Sequence, residues 1–215
     1  EIRFKDKNIA DVLNMTVDEG VDFFENILKR INEIFASKKT IVLICPSLMD
    51  ITNYYPLPQP PFNISQLKNL NNFEIYKKKR LKFLSNPQIF QLNEIYFGVA
   101  NFDVLKDMIS NSVIKEKSPM DSSLEMLLRQ RSFYPVLPTT VSDENDNKTI
   151  IVDYKRLDKL YMKEIPDIII TPSSLQHFVK KVHSTYFINP GTLYKGNSMG
   201  SFVKISIFPP SVKIF

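Results

Sequence analysis

The sequence predicts an α/β domain, and three observations carry the prediction. A long amphipathic helical pattern runs straight into an unbroken β-branched run. A second apolar run, Ile168-Ile169-Ile170, is followed by a helical pattern and then by Tyr186-Phe187-Ile188. An apolar content of 43% over 215 residues suffices for one sizeable core. The expected organisation is an extension over residues 1–15 and one domain over residues 16–215.

The first helix starts at Thr16, which stands at capping-box spacing from Glu19, and Val17, Val21, Phe24, Ile27 or Leu28, Ile31, and Ile34 or Phe35 recur at three- and four-residue steps. After Ser37-Lys38-Lys39 the run Thr40 to Cys45 reads as a strand buried on both faces of a mostly parallel sheet, ended by Pro46. The four prolines of YYPLPQPPF, Tyr54 to Phe62, forbid helix and favour an extended path. From Arg80 the alternation predicts two or three short strands with turns at Asn86-Pro87 and Asn93-Glu94. Asn101 is placed to cap a helix carrying Val104, Leu105, Met108 and Ile109, and a second helix is expected from about Asp121 to Arg131. The polar stretch 141–149 reads as a mobile loop. Ser173 is expected to open a helix with Leu175, Phe178, Val179 and Val182, and Gly200 to Phe208 to form a closing strand.

Composition narrows the function. A net charge of +5, from 28 basic and 23 acidic residues, does not by itself mark a nucleic-acid binder. The single cysteine, Cys45, can form neither an internal disulfide nor a cysteine-based zinc site, which fits a reducing compartment. No apolar run is long enough for a membrane span, and residues 1–12 are too charged for a signal peptide, so a soluble intracellular protein is expected. With five glycines and no glycine-rich phosphate loop, a nucleotide fold is not supplied.

In an open α/β sheet a ligand sits beyond the carboxyl ends of the strands. The residues there are Pro46-Ser47-Leu48-Met49-Asp50 and Thr171-Pro172-Ser173-Ser174, without a histidine or an adjacent carboxylate pair. His177 and His183 flank the expected helix six residues apart and so face different ways, unlike a metal pair at i, i+4. Cys45 extends an apolar strand and reads as an inert buried thiol, and Ser47 and Ser173 read as caps. No catalytic, metal or cofactor residues are therefore assigned. The run Lys77-Lys78-Lys79-Arg80 with Lys82 is a candidate nucleic-acid contact, weighed against a solvated strand edge. Arg129, Arg131, Phe133 and Tyr134 combine the residue types that interfaces enrich, weighed against core packing.

Taken in order, LICPSLMD, YPLPQPPF, FGVANFDVL, RQRSFYP, PDIIITPSSLQHFVKKV and INPGTLYKGNSMGSFVKI resemble the C-terminal half of the B-subunit family of DNA polymerase alpha–primase, over about Asp18 to Ile207. The resemblance implies a calcineurin-like phosphoesterase fold that has lost its metal ligands, here its C-terminal part, with mixed sheets flanked by helices. It places the former metal-site positions at Pro46, Ser47, Asp50, Thr171, Pro172, Ser173 and Ser174, where active relatives hold histidine-bearing motifs that this sequence lacks. It also implies a nuclear, non-enzymatic accessory protein without cofactor. Such a protein engages the C-terminal domain of the polymerase alpha catalytic subunit, reaches primase indirectly and touches DNA at most weakly. Arg3 to Ile27 is similar to a short stretch of the bacterial excinuclease A subunit, from which no function carries over because the ATPase loops and zinc cysteines are missing. Three rivals are a small subunit of polymerase delta or epsilon, a phosphoesterase using Asp50, Asp167 and Asn189, and a single-strand DNA-binding module.

Overall fold

The computed structural model describes residues 16–48, 50, 55–67, 69–112, 118–137, 150–192, 194–195 and 198–208. Helix α1 (Val17–Phe35) begins as the sequence predicts. Thr16 Oγ1 accepts from the Glu19 amide at 3.3 Å, and the Glu19 carboxylate accepts from the Thr16 amide at 2.8 Å. Its inner face, Leu28, Ile31 and Phe35, packs with Leu70, Phe73, Ile75 and Leu81. Two polar contacts fix its position: buried Glu25 accepts from the Asn69 amide at 3.1 Å, and Asn32 Oδ1 accepts from the Ile75 amide at 3.1 Å.

Strand β1 (Val42–Ile44) pairs in parallel with β2 (Leu81–Phe83), and the four-residue helix α2 (Glu74–Lys77) leads into β2. The expectation that β1 is buried on both faces is corrected. Among the described residues β2 is its one neighbour, burial alternates along it, and Leu43 lies open at 37% exposure. A strand within a fully covered parallel sheet would show no such alternation.

The second sheet has the order β3-β4-β5-β7-β6, with β3 (Gln88–Leu92), β4 (Ile95–Val99), β5 (Ile168–Ile170), β6 (Phe178–Val182) and β7 (Thr185–Asn189). Strands β4, β5 and β7 run parallel, while β3 and β6 lie antiparallel at the edges. Helix α3 (Val104–Ser110) and helix α4 (Pro119–Arg129) supply Val104, Leu105, Leu124, Leu127 and Leu128 to one core with Ile169, Phe187, Phe133, Tyr134 and Met162. A mixed sheet flanked by helices is thus the observed architecture. The short pair β8 (Tyr194–Lys195) and β9 (Ser198–Met199) follows.

Several sequence expectations are corrected. Residues 178–182 form a strand, not the second turn of a helix opened at Ser173. Apolar residues at 178, 179 and 182 satisfy either period, and the two-residue connection His183-Ser184 closes β6 onto β7 as a hairpin, with His183 at φ +53°. Asn93, at φ +57°, closes β3 onto β4 in the same way. Asn101 does not cap α3; Asp103 does, accepting from the Lys106 amide at 3.1 Å. Helix α4 starts at Pro119, two residues before Asp121, because proline suits the first helical position. Residues 201–208 form no strand and leave Phe202 and Phe208 more than four-fifths exposed. The expected loop at 141–149 lies outside the described residues.

Gly98, buried in β4, is required by close approach. A Cβ there would lie 2.9 Å from Pro166 Cγ and 3.1 Å from the Phe133 ring. Gly98→Ala should therefore lower stability by about 1–3 kcal/mol, read as a fall in the denaturation midpoint at unchanged slope.

Candidate functional site

The carboxyl ends of the parallel strands are where an α/β sheet presents chemistry. They carry here a polar seam in two parts. Its first part is built on Asn86, just past β2 and fully buried. The Asn86 backbone exchanges both hydrogen bonds with the Gln59 backbone, at 2.7 and 3.0 Å. Its carboxamide mimics a peptide group toward Asn101: Oδ1 accepts from the Asn101 amide at 2.7 Å, and Nδ2 donates to the Asn101 carbonyl at 3.2 Å and to Gln59 Oε1 at 2.8 Å. Gln59 Nε2 donates to the Ser47 carbonyl at 3.1 Å, and Asn101 Nδ2 donates to the Pro46 carbonyl at 3.0 Å. The proline-rich segment, the end of β1, the end of β2 and the end of β4 are thereby tied together.

The second part joins β4, β5 and β7. Asp103 accepts from Ser173 Oγ at 2.6 Å and from the Ser174 amide and hydroxyl at 2.7 Å each, while it also caps α3. Buried Asn189, the last residue of β7, accepts from the Ser173 amide at 3.1 Å and the Gly191 amide at 3.0 Å. Its Nδ2 donates to the carbonyls of Ser173, Leu175 and Gln176. Gly191 sits at φ +73° with Ser201 Oγ 2.3 Å from where a Cβ would stand, so this turn needs glycine.

The seven strand-end residues singled out from sequence all fall on or beside the seam, where Pro46, Ser47, Asp50, Ser173 and Ser174 join its hydrogen bonds. Ser47 opens a turn, its carbonyl accepting from the Asp50 amide at 3.1 Å while its own amide donates to Asp50 Oδ2 at 2.7 Å. Burial holds the Asp50 carboxyl above the usual carboxylate range, partly offset by that amide. Burial also pushes the Cys45 thiol up to about 12, with Asp50 adding to the effect, so at neutral pH it is a protonated thiol that donates to the Ser85 carbonyl at 3.5 Å. Ser173 opens no helix and instead closes a local turn by accepting from the Leu175 amide at 3.2 Å. Pro172 is half-buried beside it, and Met49 lies outside the described residues. Thr171 Oγ1 is buried and lacks a hydrogen-bond partner.

Other candidates do not converge. Asp167 accepts from the Tyr96 amide at 2.8 Å at the amino end of β5, whereas Asn189 stands at the carboxyl end of β7. The strand between them separates the two by roughly 13 Å, too far to share one metal. His177 and His183 flank β6 and are exposed. Among the described residues no group of three or more His, Cys, Asp or Glu is arranged to hold a metal ion. Phe133 and Tyr134 are core residues at 3% and 1% exposure, with the Tyr134 hydroxyl donating to Asp107 at 3.0 Å, so neither forms part of a surface. Arg129 and Arg131 do remain at the surface. In the basic run Arg80 is structural: its guanidinium donates to the carbonyls of Phe35 and Ala36 at 3.1 and 2.8 Å, and also to that of Lys38. Lys77, Lys78, Lys79 and Lys82 are exposed.

Gln59, Asn86, Asn101, Asp103 and Asn189 are not recognisable from sequence as a connected set. The available signal is an Asn or Asp within a few residues of the end of each apolar run.

The family model for the B subunit of DNA polymerase alpha/epsilon matches residues 2–180. The chain belongs to that family. The match runs through residues 3–27, for which the sequence alone suggests a likeness to excinuclease. Among relatives, the B subunit of mouse DNA polymerase alpha is 29% identical over 86% of this chain and 29% of its own length. The Saccharomyces cerevisiae protein of the same name is 29% identical over 92% of the chain and 31% of its own length. The Schizosaccharomyces pombe one is 27% identical over 91% and 33%. The chain thus spans about three tenths of the length of these relatives.

The two kinds of strand-end residue should differ sharply in their response to truncation. Asp103→Ala removes an acceptor shared by two serines and a helix amide and should cost about 2–4 kcal/mol. Thr171→Val removes an unpaired buried hydroxyl at constant shape and should change stability by less than about 1 kcal/mol, with either sign allowed. Equilibrium urea unfolding of both variants measures the contrast.

Proposed function

We propose that this chain is part of a non-catalytic accessory subunit of DNA polymerase alpha–primase, with a calcineurin-like phosphoesterase fold whose metal site has been replaced by backbone-supporting contacts. One observation carries the reading: Asp50, Asn101, Asp103 and Asn189, at the carboxyl ends of β1, β4 and β7, spend their side chains on backbone groups, where a two-metal hydrolase needs such side chains free as ligands. The family match, and relatives that carry the name of the polymerase alpha B subunit, support the choice of complex.

In this reading the protein works in the nucleus through its surfaces. It binds the C-terminal domain of the catalytic subunit and through it keeps primase close. Exposed Arg129, the last residue of α4 and 2.9 Å from Glu125, and Arg131 in the turn beyond it are candidate contacts, because arginine supplies directed donors to a partner.

Titration of the full-length protein with that catalytic-subunit domain should give a stoichiometric complex by size-exclusion chromatography and calorimetry. A manganese-supplemented phosphodiester assay on the same preparation should show no turnover. Failure to form the complex, or turnover abolished by Asp50→Ala, sinks the proposal.

A further inference from the structure

Arg80 does more than interrupt a basic run. Its guanidinium collects the carbonyls of Phe35, Ala36, Lys38 and Thr40, at and just beyond the end of α1. Helix ends leave such carbonyls without intrahelical partners, and an arginine fork is suited to several of them at once. The Arg80 carbonyl in turn accepts from the Val42 amide at 2.8 Å, which starts the β1–β2 pairing. Two stretches some forty residues apart in sequence are therefore locked side by side at one corner of the fold.

Both stretches carry exposed lysines: Lys38 and Lys39 on one, and Lys77, Lys78, Lys79 and Lys82 on the other. Lys79 is held at φ +55° where the chain leaves α2, and the Arg80 amide returns to the Ile75 carbonyl at 2.8 Å, so the lysines at this exit are presented by a defined backbone turn. Counter-charge is sparse among the described residues. Glu74 lies 3.8 Å from Lys77 and 3.4 Å from Lys78, so one carboxylate faces two ammonium groups, all about half exposed. Lys38 rests over the Phe35 ring at 5.4 Å. These are flexible point charges on a lip, with the Arg80 guanidinium withdrawn into the fold.

We infer that this lip, Lys38, Lys39, Lys77, Lys78, Lys79 and Lys82, is a contact surface for the phosphate backbone of nucleic acid. It would be read by charge and without base recognition. The assignment removes Arg80 from the contact set expected from sequence and adds Lys38 and Lys39, which only the fold brings alongside. Phosphate contacts from lysine need neither fixed forks nor a pocket, and they draw their affinity from released counterions. Protein interfaces, by contrast, deplete lysine relative to the rest of the surface.

The test uses the full-length protein and a fluorescent single-stranded oligodeoxynucleotide of about 30 nucleotides, with binding followed by anisotropy across a salt series. Each lost phosphate contact should reduce the slope of log affinity against log salt by ~0.7. Changing all six lysines to glutamine should weaken binding at least tenfold at low salt and shrink the slope by ~2 or more. Changing them to arginine should preserve both. The melting temperature of each variant controls for folding, and complex formation with the catalytic-subunit domain should be unaffected. That keeps this result separable from the architectural reading. Unchanged affinity and slope in the glutamine variant overturn the inference. So does displacement of the oligonucleotide by polyglutamate of matched charge at equal concentration, which would assign the lip to acidic protein segments.

Discussion

The interaction on which the rest depends is the burial of Asn86 with every polar atom paired. A carboxamide fully removed from water is stabilising only when its donors and acceptors are satisfied, and those of Asn86 meet one partner backbone, that of Asn101, and one partner side chain, that of Gln59. Gln59 and Asn101 then reach the carbonyls of Ser47 and Pro46. The α1, β1 and β2 core and the core around the five-stranded sheet are separate apolar clusters, and this polar junction crosses between them. Apolar packing is non-directional and tolerates sliding, whereas a saturated carboxamide fixes register.

The same division of labour recurs at other strand and helix ends. Asp103 and Asn189 hold the loop after β5, and Arg80 holds the end of α1. Each is a polar residue whose value lies in matching backbone groups that regular structure leaves open. That accounts for a site region rich in Ser, Asn and Asp without convergent chemistry: the groups point at the chain. Thr171 Oγ1 is the described exception, a hydroxyl without a partner.

Much of the fold is legible in the sequence because local signals agree with one another. The capping box of α1, the abrupt change to a β-branched run after Lys39, and the triple isoleucine of β5 each have one reading. The β6 region misleads because Phe178, Val179 and Val182 fit both periods, and only pairing with β7 decides between them. The exposed face of β1 misleads because burial depends on neighbours, which no local pattern encodes. The strand-end residues can be located from sequence, but their partners lie far along the chain, as Ser174 does from Asp103, and pairing at that separation leaves no periodic trace. RQRSFYP holds both outcomes in one motif, with arginines at the surface and the Phe133-Tyr134 pair inside.

The seam also bears on how such a protein can change over generations. Asp103 supports three donors from two serines, and Asn189 supports five backbone groups. A mutation that freed either residue for another task would first remove those supports, and the chain would lose stability before anything new could form. Any change of use at these positions thus passes through less stable intermediates. The polar lining of the strand ends acts as a brake on change, because each support must be replaced before its residue can be reassigned.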